Sequence, residues 1–256
     1  TDVGRLIYAK NKDFFRKVNS TTLSKSIPKR FRDKENKWFG LSLRSRVFIY
    51  NTDKVNNKEL SGYYDLSNKN WKGRIMVRSS NNIYNQSLIA AMVLNYGEKK
   101  VENFLQNFVS NFARKPSGGD RDQIKAVANG QGDIALVNSY YFLKMKLNDR
   151  DNFLKKTAIH FPQDTIMKTH VNISGAGIIK FTKNYNHAVR FLEYLVSEEA
   201  QRIYSNVNYE YPVNSNVQIS SRMQPYVIPE QDNLDLSTLG LANKKAVLLM
   251  DRAGWK

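Results

Sequence analysis

The sequence of 256 residues contains no cysteine and only three histidines. Without cysteine, the chain can form no disulfide, zinc–thiolate site or iron–sulfur cluster, and it has no thiol nucleophile. The histidines at positions 160, 170 and 187 lack the i, i+4 spacing and the glutamate of a helical zinc-protease motif. A metal ion would therefore have to be bound by oxygen atoms or by isolated imidazoles.

Long apolar runs are also missing. No window approaches 18 consecutive apolar residues, which excludes a helix that spans a membrane. The first ten residues, TDVGRLIYAK, have neither the apolar core nor the cleavage site of a signal peptide. They have the pattern of a strand end that leads directly into a helix, so we expect a further segment to precede Thr1.

Acidic residues are scarce relative to basic ones. The chain has 40 Lys and Arg against 23 Asp and Glu, a formal charge of +17. This charge suits nucleic acid, an anionic membrane or peptidoglycan surface, or small anions. The basic residues are scattered through Lys/Asn-rich loops, which a solvated basic surface explains equally well. Composition alone does not identify a partner.

Enzyme motifs are lacking as well. Ser174 lies in the sequence ISGAG, which has no glycine two positions before the serine, as a nucleophile elbow requires. The GAG triplet in the same stretch has no third glycine for a dinucleotide-binding loop. We therefore expect a protein that is not an enzyme.

Strand and helix patterns alternate along the chain, which predicts an α/β fold. Two long strand patterns, beginning near Trp38 and His170, are able to pass between two lobes, and the length of the chain favours two compact units over one. Helices are predicted over residues 3–18 and 85–97 and within the stretch SGGDRDQIKAVANGQGD, residues 117–133. In the last of these, Asp120 and Gln123 have the spacing of a D-x-x-Q capping box.

A tyrosine pair follows one of the predicted strands. The apolar run Ile134 to Val137 ends three residues before Tyr140 and Tyr141. If Asn138 and Ser139 open a turn into a helix, both phenols project from the carboxyl edge of a sheet, where open α/β folds bind ligands. Tyr84 lies at another junction between a strand and a helix, so the three phenols could converge.

Converging phenols suit a trivalent hard cation. A phenol ionises near pH 10 in isolation, but such an ion displaces its proton at neutral pH and prefers oxygen ligands. Ferric iron has these properties. Arg44, on the first crossing strand, could supply the counter-charge if the bound cluster became negative. The other interpretation from spacing alone is that the tyrosines are half-buried aromatics with hydroxyls in water.

Two other functions stay open at this point. The SGGD stretch and Arg44 could bind a small oxyanion, with Ser117, Gly118 and Asn172 as possible contacts of the anion or neighbours of the ligands. A basic nucleic-acid-binding module would use the positive charge and stack bases on exposed aromatic rings. The spacing of Phe104, Phe108 and Phe112 indicates core packing instead.

Four stretches give the sequence a specific resemblance to a known family. It resembles the ferric-ion-binding periplasmic proteins of bacterial iron ABC importers, in particular the cyanobacterial FutA type. The stretches are WFGLSLRSRV (Trp38 to Val47), IYNQSLIAAM (Ile83 to Met92), SGGDRDQIKAVANGQGDIALVNSYYF (Ser117 to Phe142) and HVNISGAGI (His170 to Ile178).

The resemblance implies a two-lobed solute-binding fold of the Venus-flytrap, type II kind, with hinge strands between the lobes. The N-terminal lobe would comprise residues 1–42 and 172–219, lacking its first portion, and the C-terminal lobe residues 43–171 and 220–256. Ferric iron would be bound in the interlobe cleft by Tyr84, Tyr140 and Tyr141, with Arg44 as the neighbouring counter-charge. A further ligand near the mature amino terminus of family members is absent from this sequence.

The family's role implies further expectations about partners. The protein would deliver Fe³⁺ to the membrane permease of an ABC importer, act in the periplasm as a monomer, and bind no nucleic acid.

Overall fold

The computed structural model describes residues 1–256, which divide into two compact units. The first unit comprises Thr1–Arg44, Asn172–Val227 and Asn233–Leu241; the second comprises Ser45–Val171, Ile228–Asp232 and Ala242–Lys256. The sequence interpretation assigned residues 43–44, 220–227 and 233–241 to the C-terminal lobe, and these residues belong to the first unit.

Helices and strands alternate over much of the chain. The helices are α1 Val3–Asn11, α2 Thr21–Ser26, α3 Ile83–Tyr96, α4 Glu98–Ser110, α5 Asp120–Ala128, α6 Ser139–Lys146, α7 Tyr185–Leu195, α8 Glu198–Ile203 and α9 Leu239–Arg252. The strands are β1 Phe39–Asn51, β2 Ile75–Met76, β3 Ile134–Asn138, β4 Thr157–His160, β5 Val171–Ala176 and β6 Tyr211–Pro212. No helix is both long enough and apolar enough to cross a bilayer.

In the first unit, the amino-terminal half of β1 pairs with β5 and β6, and Ser42 lies opposite Pro212. Gly175 on β5 lies against the backbone of β1, since a Cβ there would be 2.5 Å from the carbonyl oxygen of Phe39. Glycine at this position therefore allows the two backbones to approach closely.

In the second unit, β3 is antiparallel to the carboxyl-terminal half of β1, with Val137 opposite Val47. β4 pairs with the same half of β1, and β2 runs parallel to β3. Every residue of β3 is buried, as its apolar run predicted. This sheet brings the ends of β2 and β3 side by side, and each is followed by a segment that carries a candidate ligand.

The prediction of a helix over residues 3–18 is correct for its first half and wrong for residues 12–18. α1 ends at Asn11, because Asp13 has a positive φ of 56° and Phe15 pairs with Ile179 in an isolated β-bridge. The following segment contains α2, which begins at Thr21 directly after the capping residue Ser20.

Candidate functional site: a tyrosine cluster in the second unit

Tyr140 and Tyr141 lie in the first turn of α6, which begins at Ser139 directly after β3. The predicted turn from strand to helix is therefore present. The two rings lie side by side, with centroids 4.2 Å apart and planes inclined by 32°. Both side chains are half-buried, whereas Ser139 and Phe142 beside them are buried. The doublet is thus anchored on either side and keeps its rings partly accessible.

Tyr84 is the second residue of α3, and its backbone N–H donates to the side chain of Asn82, which caps that helix. The hydroxyl oxygens of Tyr84 and Tyr140 are 3.4 Å apart, although 56 residues separate them in the sequence. Two segments that follow adjacent strands therefore bring their phenols together.

The Tyr140 phenol holds its proton strongly in the metal-free protein. Burial raises the pKa of Tyr140, and hydrogen bonds to the hydroxyls of Tyr141 and Tyr84 raise it further. A phenol in this state becomes a phenolate only when a strong Lewis acid replaces the proton.

Three guanidinium groups lie near the rings of the cluster. The Cζ atoms of Arg46 and Arg78 are 6.0 and 5.7 Å from the centroid of the Tyr84 ring, and that of Arg121 is 5.2 Å from the Tyr141 ring. Such positions allow cation–π attraction, and positive charge also favours the ionised form of a nearby phenol. Positive charge therefore lies beside the rings of Tyr84 and Tyr141.

Arg46 is a buried arginine with several partners in the second unit. Its guanidinium forms an ion pair with Asp120 at 2.9 Å and donates to the carbonyl of Leu136 at 3.1 Å. It also donates to the side-chain oxygens of Asn85 and Asn138. A buried charge with this many acceptors is held in one orientation.

Arg44 has a different set of partners. Arg44 lies in the first unit, where it pairs with Asp2 and lies 4.0 Å from Glu210. The arginines that lie beside the phenol rings of the second unit are Arg46, Arg78 and Arg121. The counter-charge role assigned to Arg44 from the sequence stays a prediction.

The SGGD stretch leads into α5, but its capping differs from the predicted capping box. Gly119 is the residue before the helix, and its N–H donates to the carboxylate of Asp122 at 2.7 Å. Asp120 is the first helical residue, so the predicted pairing of Asp120 with Gln123 is wrong. Gln123 instead donates to the carbonyl of Ser117 at 2.6 Å. Two carboxylates at this helix start would repel an anion.

The remaining residues suggested as anion contacts lie in different units. Ser117 and Gly118 belong to the second unit and are exposed, and Gly118 has a positive φ of 72°. Asn172 is buried in the first unit, where its side-chain oxygen accepts from the N–H of Ile173 at 2.7 Å.

No group of three or more His, Cys, Asp and Glu side chains is placed to hold a metal ion. The tyrosine cluster is therefore the candidate set of oxygen ligands for a metal ion. Sequence reasoning identified its phenols but missed Arg46, Arg78, Arg121 and the role of Asp120. The position of Arg46 beside the apolar run of a predicted strand could have indicated this role. An arginine that is buried in a strand needs a buried partner, usually a carboxylate.

Comparison with known proteins agrees with this fold. The model of a family described as bacterial extracellular solute-binding protein matches residues 4–234. The chain belongs to this family. The predicted fold class, a two-lobed α/β solute-binding protein, is thereby confirmed, as is the resemblance to ferric-ion-binding members.

Several curated members of the solute-binding family are similar to the chain in sequence. Iron uptake protein A1 of Synechocystis is 40% identical over all of this chain and 72% of its own length. The major ferric iron-binding protein of Neisseria meningitidis serogroup B is 28% identical over 86% of this chain and 65% of its own length.

Solved structures of family members superimpose closely. The Trichodesmium IdiA/FutA protein in complex with iron and citrate has a TM-score of 0.94 and 46% identity, over all of this chain and 82% of its own. The apo ferric ion-binding protein A of Pasteurella haemolytica has a TM-score of 0.94 and 38% identity, over 99% and 80% of the two chains.

Proposed function

We propose that this protein binds ferric iron as cargo for import, with the phenolate oxygens of Tyr84, Tyr140 and Tyr141 as ligands. The observation that carries the proposal is the approach of the Tyr84 and Tyr140 hydroxyls to 3.4 Å, with the Tyr141 ring beside them. The names of the relatives from Synechocystis and Neisseria, and the iron in the Trichodesmium structure, support the same cargo.

The spacing of the oxygens fits a small, hard cation. Oxygens that lie about 2 Å from one octahedral ion are separated by roughly 3 Å from their neighbours. The 3.4 Å between Tyr84 and Tyr140 is close to this value, so a small side-chain adjustment suffices for both to bind one ion. Three phenolates would neutralise the charge of Fe³⁺, and the nearby arginines would stabilise the phenolates.

Proton release accompanies binding in this proposal. Each phenol must lose its proton before it binds the ion, and the pKa of Tyr140 is raised by burial and by its phenol neighbours. Loading is therefore favoured as pH rises and weakened by acidification. Reduction to ferrous iron removes one positive charge and favours release.

Family membership supports a proposal for the partner and the location. Extracellular solute-binding proteins present a bound solute to membrane importers, and we propose that this chain delivers ferric iron to the permease of an ABC importer in the periplasm. We propose further that it acts as a monomer, binds no nucleic acid and performs no catalysis.

Ferric titration at neutral pH tests the cargo and the ligands together. Iron is supplied as a weak ferric chelate, and the charge-transfer band of phenolate bound to Fe³⁺ is recorded in visible light. The wild-type protein should develop the band at one equivalent. Tyr140→Phe combined with Tyr141→Phe should abolish it, and Tyr84→Phe should weaken it, because the ligand oxygens are removed.

Tyr64→Phe is the matched control, since Tyr64 belongs to the same unit and its hydroxyl donates to the carbonyl of Lys100. This variant should give the wild-type band. An unchanged band in the Tyr140 and Tyr141 double variant would reject the proposed ligands.

A further inference from the structure

Asp120 holds a buried carboxylate that joins three separate segments of the second unit. Its side chain is fully buried at the start of α5. One oxygen accepts from the guanidinium of Arg46 at 2.9 Å and from the backbone N–H of Asn138 at 2.7 Å. The other accepts from the guanidinium of Arg78 at 3.1 Å.

The N–H of Asn138 connects Asp120 to the tyrosine doublet. Asn138 is the last residue of β3 and immediately precedes α6, whose first turn carries Tyr140 and Tyr141. The side chain of Asn138 makes no capping bond to that helix. The hydrogen bond to Asp120 therefore fixes the backbone at the point from which the doublet projects.

The two arginines connect Asp120 to Tyr84. Asn85, directly after Tyr84, donates to the backbone carbonyls of Arg78 and Ser79, each at 3.0 Å, and accepts from Arg46. Both arginines also lie near the Tyr84 ring. Asp120 orients the guanidinium groups, and these in turn constrain the segment from Arg78 to Asn85.

Helix capping does not explain this carboxylate, because Asp122 already accepts from the N–H of Gly119. A buried carboxylate with two guanidiniums carries a large desolvation cost, and one established use of such groups is to specify a single arrangement. Here the arrangement specified includes both segments whose phenols meet.

We propose that Asp120 is the positioning residue of the tyrosine cluster: its carboxylate sets the distance between the Tyr84 segment and the Tyr140–Tyr141 segment. This inference rests on the proposed ferric function. Groups that orient metal ligands in this way contribute about 10- to 100-fold to metal affinity.

Asp120→Asn tests the inference, because asparagine keeps the shape of the side chain and removes its charge. Asp33→Asn is the matched control. Asp33 is equally buried, pairs with Lys10 at 2.7 Å and accepts from two backbone N–H groups, but it lies in the first unit. Both variants remove one buried, paired carboxylate and should lower the melting temperature.

Only Asp120→Asn should weaken ferric binding, with a dissociation constant raised about 10- to 100-fold in the band titration. In the metal-free proteins, only this variant should speed amide hydrogen exchange in both residues 79–85 and residues 138–142. If Asp120→Asn does not fold, Arg78→Gln removes one of the same bonds at a partly exposed site and should change affinity and exchange in the same directions.

The outcomes separate two failures. A wild-type protein without a phenolate band would reject the ferric function itself. A wild-type band together with equal affinity and equal exchange in Asp120→Asn and Asp33→Asn would overturn the positioning role while the ferric function stands.

Discussion

His170 is a fully buried histidine that the proposed ligands do not involve. Its Nε2 lies 2.9 Å from the hydroxyl of Ser87, and its backbone N–H donates to the hydroxyl oxygen of Tyr63 at 2.9 Å. Its carbonyl accepts from the N–H of Arg46 at 3.0 Å. Burial, reinforced by the charge of Arg46, lowers the pKa of His170 to about 3. The imidazole is therefore neutral in the folded protein at ordinary pH.

This histidine should make the protein less stable as pH falls. The unfolded chain takes up a proton near the ordinary value of 6.5 and the folded chain does not, so the unfolded state gains from acidification. We expect His170 to contribute a loss of about 2 kcal/mol in the free energy of unfolding between pH 7.5 and pH 5. Urea unfolding at the two pH values measures it.

His170→Gln should show a smaller loss over this interval than the wild-type protein, and the exposed His187→Gln should behave as the wild type. Equal losses in all three proteins would contradict this account of His170.

The position of the tyrosines can be predicted from the sequence, whereas the contacts of the arginines cannot. Tyr140 and Tyr141 follow an apolar strand directly, so their position in the first helical turn depends on neighbouring residues alone. Asp120 and Arg46 are 74 residues apart, and their pairing depends on tertiary structure. From its sequence pattern, Asp120 is expected to cap α5. In the structure, Gly119 is the residue before the helix, and its N–H donates to the side chain of Asp122.

At the scale of elements, the packing of β5 against β1 in the first unit depends on Gly175. A Cβ at this position would be 2.5 Å from the carbonyl oxygen of Phe39 and 2.7 Å from the Cδ1 atom of Leu6. The backbone oxygen cannot move without disturbing β1, so the space is closed to any larger residue.

Gly175→Ala should therefore destabilise the protein by about 1–3 kcal/mol, the usual effect of overpacking. Chemical denaturation measures the change. Ser174→Ala, at the preceding and partly exposed position, is the control and should have a small effect. Equal stability of Gly175→Ala and the wild type would show that β5 and β1 are able to separate at this point.

The elements that the sequence predicted well are those with a strong local signal. The apolar runs Val47–Tyr50 of β1 and Ile134–Val137 of β3 predict buried strands, and α3 ends at Tyr96, directly before Gly97, which has a positive φ of 85°. The start of α6 was also predicted, from the polar pair Asn138 and Ser139. β4 was missed because its four residues pair with β1 without an apolar pattern of their own.

At the scale of the whole molecule, the charge of +17 does not by itself explain the function. The positive charge relevant to the tyrosine cluster comes from Arg46, Arg78 and Arg121, of which the first two share the carboxylate of Asp120. These groups are arranged around phenols, whereas the other basic residues are scattered along the chain. Family membership and the converging phenols together favour a ferric solute over nucleic acid.

In the proposed function, the hydroxyl oxygens of Tyr84, Tyr140 and Tyr141 bind one ferric ion. Anomalous diffraction at the iron absorption edge, from crystals of the iron-loaded protein, tests it most directly. We predict a single strong peak within bonding distance of all three oxygens. A peak elsewhere in the molecule, with these three hydroxyls left unbound, would show that the tyrosine cluster is not the ferric site.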